Sequence, residues 1–247
     1  MTNLLDVSNV SVSFRGTKAL IDVSFDCQAG QITGLIGPNG AGKTTMFNVI
    51  SGLLKPTSGK ILLDGVDLSK ANPAKRARQG ISRTFQRLEL FVSLTVRENL
   101  VVAGEIRNSL GRGEKFDVAA EADKVMALLD LTDVADVDVA ALPTGRARVV
   151  EVARALMTRP KLVLLDEPAS GQSEEETERF GELLRKMVDD SGLSVCLVEH
   201  DVPLVMRLCD RIHVLNFGEL LASGTPDEIR QNTAVADAYL GAPEETI

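Results

Sequence analysis

The sequence predicts an α/β protein with a mostly parallel core sheet, an N-terminal antiparallel β-subdomain and an inserted helical subdomain. Three observations predict it. Short continuous apolar runs at Ile32 to Ile36, Leu162 to Leu165 and Val195 to Val198 each lead into a polar cluster and then helix-like sequence, as strands buried on both faces of a parallel sheet do. The first quarter of the chain instead alternates apolar and polar residues, and between about Leu88 and Met157 the apolar spacing is helical.

Taken in order, Val10, Val12 and Phe14 alternate with Ser11 and Ser13, and after Arg15-Gly16 a second alternation runs through Val23, Phe25 and Cys27. A period of two implies half-buried strands. Asp64-Gly65, the dipeptide best suited to a two-residue hairpin, lies between Ile61-Leu62-Leu63 and Val66-Asp67-Leu68. Thr95-Val96-Arg97-Glu98 is a capping box, and an apolar stripe at Phe116, Ala119, Ala120, Val125, Leu128 and Leu129 predicts a helix over Phe116 to Leu129. The loop Asn108-Ser109-Leu110-Gly111-Arg112-Gly113 separates these two helices. His213, in the alternating run Ile212-His213-Val214, is expected to face outward. The whole reads as one domain of 247 residues, with a core formed by residues 1–87 and 158–247 and the helical insertion at 88–157.

Composition narrows the function classes. With 27 basic and 35 acidic residues the net charge is −8, which argues against a protein that tracks nucleic-acid phosphates by charge. Cys27, Cys196 and Cys209 show no metal-binding spacing and are expected to be small buried residues in a reducing compartment. The start, Met1-Thr2-Asn3-Leu4-Leu5-Asp6, has no basic leader, and no apolar run reaches the length of a spanning helix. The expectation is a cytoplasmic chain that does not itself cross a membrane.

The chemistry is expected where the three buried strands end. Gly37-Pro38-Asn39-Gly40-Ala41-Gly42-Lys43-Thr44 satisfies G-x-x-x-x-G-K-[ST], follows the strand ending at Ile36 and opens a helix through Met46, Phe47 and Ile50. That context identifies a phosphate-binding loop. Glycines let the backbone turn its N–H groups inward, the helix N-terminus adds partial positive charge, Lys43 supplies a full one, and Thr44 offers a hydroxyl to Mg²⁺. The second strand ends in Asp166-Glu167. Beside a phosphate loop, this pair is read as a magnesium-orienting Asp166 and a Glu167 that polarises the attacking water. Gln86 and His200 each stand at the end of an apolar run, where an ordinary surface residue is the competing reading.

These motifs, in this order and spacing, resemble the ATP-binding-cassette (ABC) ATPases over essentially the whole chain: the phosphate loop from Gly37 to Thr45, Gln86, Asp166-Glu167-Pro168 and His200. The resemblance implies a P-loop NTPase fold that binds ATP and Mg²⁺. It implies that Gln86 contacts the metal and communicates with a membrane partner, that His200 contacts the γ-phosphate, and that an aromatic near Phe14 stacks on adenine. Phe14 also shares a face with Val10 and Val12, so a core position is the alternative. Where the family carries Leu-Ser-Gly-Gly-Gln this chain has Leu142-Pro143-Thr144-Gly145-Arg146, so Thr144 is the candidate to replace the lost serine. Gly145 opens an amphipathic helix that the resemblance assigns to ATP held by a second subunit. A further departure is Ser170-Gly171-Gln172-Ser173 after Pro168, although Ser173 and Glu176 still form a capping box.

Within that family, Gly80-Ile81-Ser82-Arg83-Thr84-Phe85-Gln86 and the tail segments Phe217-Gly218-Glu219, Gly224-Thr225-Pro226 and Ala238-Tyr239-Leu240-Gly241 resemble importer subunits for branched-chain amino acids. The expectation is an ATPase subunit on the inner face of the cell membrane. It would dimerise with a like or related ATPase subunit and drive permease subunits. Lipopolysaccharide-export ATPases look similar, and a soluble non-transport cassette or a P-loop kinase are the other classes weighed. Thr225-Pro226-Asp227-Glu228 in the tail is also a capping box useful in any protein.

Overall fold

The computed structural model describes residues 3–111 and 113–240, so Met1, Thr2, Arg112 and residues 241–247, Gly241 among them, lie outside the described residues. The chain opens with β1 (Asn3–Phe14), β2 (Thr17–Gln28) and β3 (Ile32–Ile36), and α1 (Lys43–Ser51) follows. Next come β4 (Ser58–Leu63), β5 (Val66–Asp67), α2 (Pro73–Gln79) and β6 (Ile81–Arg83). Three helices, α3 (Val96–Ser109), α4 (Val118–Leu128) and α5 (Thr144–Leu156), lie between β6 and β7 (Leu162–Asp166). The remainder is α6 (Glu174–Ser191), β8 (Ser194–Val198), α7 (Val202–Leu208), β9 (Arg211–Asn216), β10 (Glu219–Gly224), α8 (Pro226–Arg230) and α9 (Thr233–Leu240).

Two sheets form. One has the order β2-β1-β4-β5 and is antiparallel throughout; the other has the order β10-β9-β3-β8-β7-β6, parallel except for β10. In β7, Leu162 and Leu164 join α1 and the antiparallel sheet in one core, whereas Val163 and Leu165 join the helices on the opposite side. β8 divides the same way, with Cys196 and Val198 on the first side and Val195 and Leu197 on the second. A strand used on both faces has no polar side, which explains the uninterrupted apolar runs.

Local signals hold at most boundaries. Asp64 (φ 51°) and Gly65 (φ 74°) make the β4–β5 turn, and capping boxes at Thr95, Ser173 and Thr225 start α3, α6 and α8. α4 starts later than its stripe suggests, because Asp117 caps it by accepting from the Ala120 N–H. Phe116 therefore precedes the helix, between the guanidinium groups of Arg107 and Arg159. The three cysteines are buried and free.

His213 corrects the expectation made for it. β9 lies second from the sheet edge and is covered on both faces, so alternation does not mark a wet side; His213 is 1% exposed. Its ring bonds Ser223 Oγ at 2.7 Å and the Asp26 carbonyl at 2.9 Å, and packs on Phe25. Burial holds this imidazole below its ordinary value. The folded state thus binds its proton less readily than the unfolded chain, and stability linked to neutral His213 is complete above about pH 6.5 and lost as pH falls further. We expect the melting temperature of the native chain to fall more steeply than that of His213→Gln between about pH 7 and pH 5. Parallel melting curves would remove this role.

Candidate functional site

The turn between β3 and α1 has its conformation imposed by glycine at two places. A side chain at Gly37 (φ 150°) would sit 2.1 Å from the Leu215 carbonyl oxygen, and one at Gly42 (φ 107°) would meet Leu20 Cδ2 at 2.8 Å. The chain therefore curls tightly against β9 and β2, with Ala41 N–H bonded to the Pro38 carbonyl. Lys43 begins the helix; its Nζ donates to the carbonyls of Gly37 at 2.6 Å and Pro38 at 3.1 Å. Burial lowers its pKa, while Glu167 and Asp166 oppose that shift by favouring the ammonium. The far end of α1 is held by Arg76, 1% exposed, whose Nη1 donates to the Val49 and Ile50 carbonyls at 2.6 and 2.7 Å. A cation there complements the helix dipole, and burial brings its pKa down only to about 10.

A cleft of about 500 Å³ collects Asn39, Gly40, Gly42, Lys43, Thr44, Thr45 and Glu167, together with Lys18, Ala19, Phe217 and Gly218, which the sequence reading did not include. Glu167 adopts a left-handed backbone (φ 49°), and its Oε2 accepts from Gln86 Nε2 at 2.8 Å. Gln86 and Glu167, 81 positions apart in sequence, thus meet at the cleft. Asp166 is buried behind them and accepts from Arg83 Nη2 at 2.7 Å. Arg83 also bonds Asn48 Oδ1 and Ser51 Oγ of α1 and covers the Phe85 ring at 4.9 Å. It joins β6, β7 and α1 around the carboxylate, and no local motif marks it.

Thr44, Gln86 and Asp166 each carry a side-chain oxygen, the kind of donor a hard cation such as Mg²⁺ takes. Gln86 fits this set in its present orientation, since its amide nitrogen is turned to Glu167 and its oxygen is left for a cation. His200 stands on the loop after β8 with its side chain 62% exposed. The preceding Glu199 is buried and accepts from the Ala169 and His200 N–H groups; burial raises its pKa against those two bonds.

Other predicted residues lie apart. Phe14 is 49% exposed, not core: it stands at the tip of the β1–β2 hairpin, beyond four register shifts, paired with Thr17 beside the cleft residue Lys18. At the start of α5, Thr144 is exposed and Gly145 is buried, and Gly145 lines a separate hollow with Pro143, Arg146 and Glu176. Pro143 gives this helix no side-chain cap, and Arg146 is turned to Asp133, which it grips through both Nη atoms at 2.6 and 2.9 Å. Farther along α5, Arg148 donates to the carbonyls of Phe85 and Gln86, and Glu151 accepts from Glu89 N–H at 3.3 Å. Arg148 and Glu151 also pair with each other at 3.2 Å, in a buried site where burial raises the Glu151 pKa.

The family described as ABC transporter matches residues 20–170, and that described as Branched-chain amino acid ATP-binding cassette transporter matches residues 219–245. The high-affinity branched-chain amino acid transport ATP-binding protein BraF of Pseudomonas aeruginosa is 39% identical, over 96% of this chain and 98% of its own length. Among solved structures, the ADP conformation of MJ1267, an ATP-binding cassette of an ABC transporter, superposes with a TM-score of 0.88 at 30% identity, over 98% of this chain and 100% of its own. A dimeric post-hydrolysis state of the cassette MJ0796 bound to ADP and Pi superposes with a TM-score of 0.76 at 25% identity, over 90% and 98% of the two chains.

Proposed function

Because this chain belongs to the ABC transporter family and is one of its ATP-hydrolysing cassettes, we propose that it drives a membrane permease importing branched-chain or other hydrophobic amino acids. The observation that carries the chemistry is the single cleft holding the phosphate-loop turn, Lys43 and Glu167. Lys43 and the loop amides hold the phosphates, and Glu167 polarises water for attack on the terminal one. Gln86 holds that carboxylate through its amide nitrogen and leaves its oxygen for a cation. Thr44, Gln86 and Asp166 would hold Mg²⁺, which when bound would supply positive charge against the phosphates. His200 faces the γ-phosphate. Phe14, half exposed at the hairpin tip, is offered to adenine.

Residues 88–157 act as a helical subdomain on a nucleotide-binding core of 1–87 and 158–247. Thr144 and Gly145, at an uncapped helix start, close over ATP held by a second ATPase subunit of the same or a related kind. The MJ0796 dimer supports such pairing. Among the described residues no helix is long and apolar enough to cross a membrane. In this reading the chain docks peripherally on the cytoplasmic face of the permease. The docking surface is the segment around Gln86, where Phe85, Leu88, Phe91 and Val92 are exposed and Arg148 of α5 holds the main chain at Phe85 and Gln86. The cargo assignment is supported by the likeness to BraF and by the tail match at 219–245. The net charge of −8 speaks against a nucleic-acid partner.

Affinity isolation of the complex from membranes checks the reading. A multispanning permease is expected to accompany the chain, and in vesicles loaded with the matching binding protein, leucine, isoleucine or valine should stimulate ATP hydrolysis. Isolation with ribosomes or DNA, or stimulation only by an unrelated solute, would displace the amino-acid assignment.

A further inference from the structure

Glu199 is a buried acid with no part in the reaction as proposed. Its side chain is fully buried, and its two oxygens are divided between two loops. Oε1 accepts the Ala169 N–H at 2.8 Å, and Oε2 accepts the His200 N–H at 3.1 Å. One carboxylate thereby joins the main chain following β7, two residues after Glu167, to the main chain following β8. A second tie runs beside it, from Glu167 N–H to the Val198 carbonyl at 2.9 Å.

The residue between these ties needs them. Glu167 carries a Cβ in the left-handed region (φ 49°), a conformation that costs energy and persists only where the surroundings over-determine it. Few side chains can perform the bridging. An apolar residue at 199 takes the acceptor from the buried Ala169 N–H and from the partly buried His200 N–H. Glutamine offers one acceptor oxygen and turns an NH₂ group toward the other donor.

We infer that Glu199 is a positioning residue whose carboxylate fixes His200 and the Glu167-to-Ala169 turn relative to one another, so that both meet the terminal phosphate in register. The inference rests on the roles proposed above for Glu167 and His200.

The test compares the full chain with Glu199→Gln, His200→Ala and the double variant, measuring kcat and KM for ATP and the affinity for a fluorescent ADP in the presence of chelator. Glu199→Gln is expected to lower kcat by on the order of tenfold to a hundredfold, as small displacements of reacting groups do. ADP affinity should stay within about twofold, since the phosphate loop is untouched, and the double variant should lose less than the product of the single losses. Three results overturn the inference: an unchanged kcat in Glu199→Gln, a parallel collapse of ADP affinity, or single losses that multiply independently. If instead His200→Ala and Glu167→Gln both retain native kcat, it is the underlying assignment of those two residues that fails. Should Glu199→Gln not fold, Glu199→Asp, which keeps both oxygens at shorter reach, carries the same cycle under the same criteria.

Discussion

Glu167→Gln is expected to slow ATP hydrolysis by about 10²–10⁴-fold, the range general-base groups contribute, while nucleotide still binds. The substitution keeps the shape of a side chain that lines the phosphate cleft and removes its ability to accept a proton from water. The turn that presents residue 167 is built from main-chain bonds, Glu167 N–H to Val198 O and Ser170 N–H to Glu167 O, so the strained backbone should survive. In the proposed cycle hydrolysis reopens a closed pair of cassettes, so the variant should accumulate as a nucleotide-bound dimer with ATP and Mg²⁺. Light scattering or native mass measurement reads this directly. A monomer population like that of the native chain, together with native turnover, would falsify the assignment of Glu167.

Lys43→Met should act at an earlier step. Lys43 is 8% exposed, its ammonium bonded to two loop carbonyls beside two acids and at the wall of the phosphate cleft, a fixed positive charge where a phosphate tail would enter. Losing one such preorganised donor costs about 10²–10³ in kcat. Here it should also weaken binding, because Lys43 contacts the phosphates in ground and transition states alike. The loss is visible without turnover. Ligand at about 100 times its dissociation constant stabilises a folded chain by about 2.7 kcal/mol, so the upward shift in melting temperature that ADP gives the native chain should largely disappear in the variant. An undiminished shift would show that the loop does not grip phosphate through this side chain.

These two residues were legible in the sequence because their surroundings are local. The phosphate loop is a contiguous strand, turn and helix, and the turns and caps at Asp64-Gly65, Thr95, Ser173 and Thr225 are fixed by residues within four positions of one another. Gln86 and His200 stood out only as polar residues ending apolar runs. What escaped were side chains whose meaning lies in distant partners. Arg83 pairs with Asp166 across 83 positions, Glu199 holds Ala169 across 30, and Arg148 reaches Gln86 across 62. Each looks locally like an ordinary charge at a strand end or on a helix. A charge adjoining an all-apolar strand, as at Glu199 after Val198, was the one available hint. His213 misled for the opposite reason: period-two reasoning assumes one wet face, and β9 has none.

The grip of Arg148 on the Phe85 and Gln86 carbonyls is a grip on peptide groups, which every amino acid supplies. Such a clamp is indifferent to spelling. Leu88 and Val92, exposed in the proposed docking segment, can be exchanged without touching those two bonds, whereas Phe91 also lies under Arg154 of the same helix. One engine could thus be refitted to many transport machines by rewriting a few outward-facing letters, with its power stroke inherited intact.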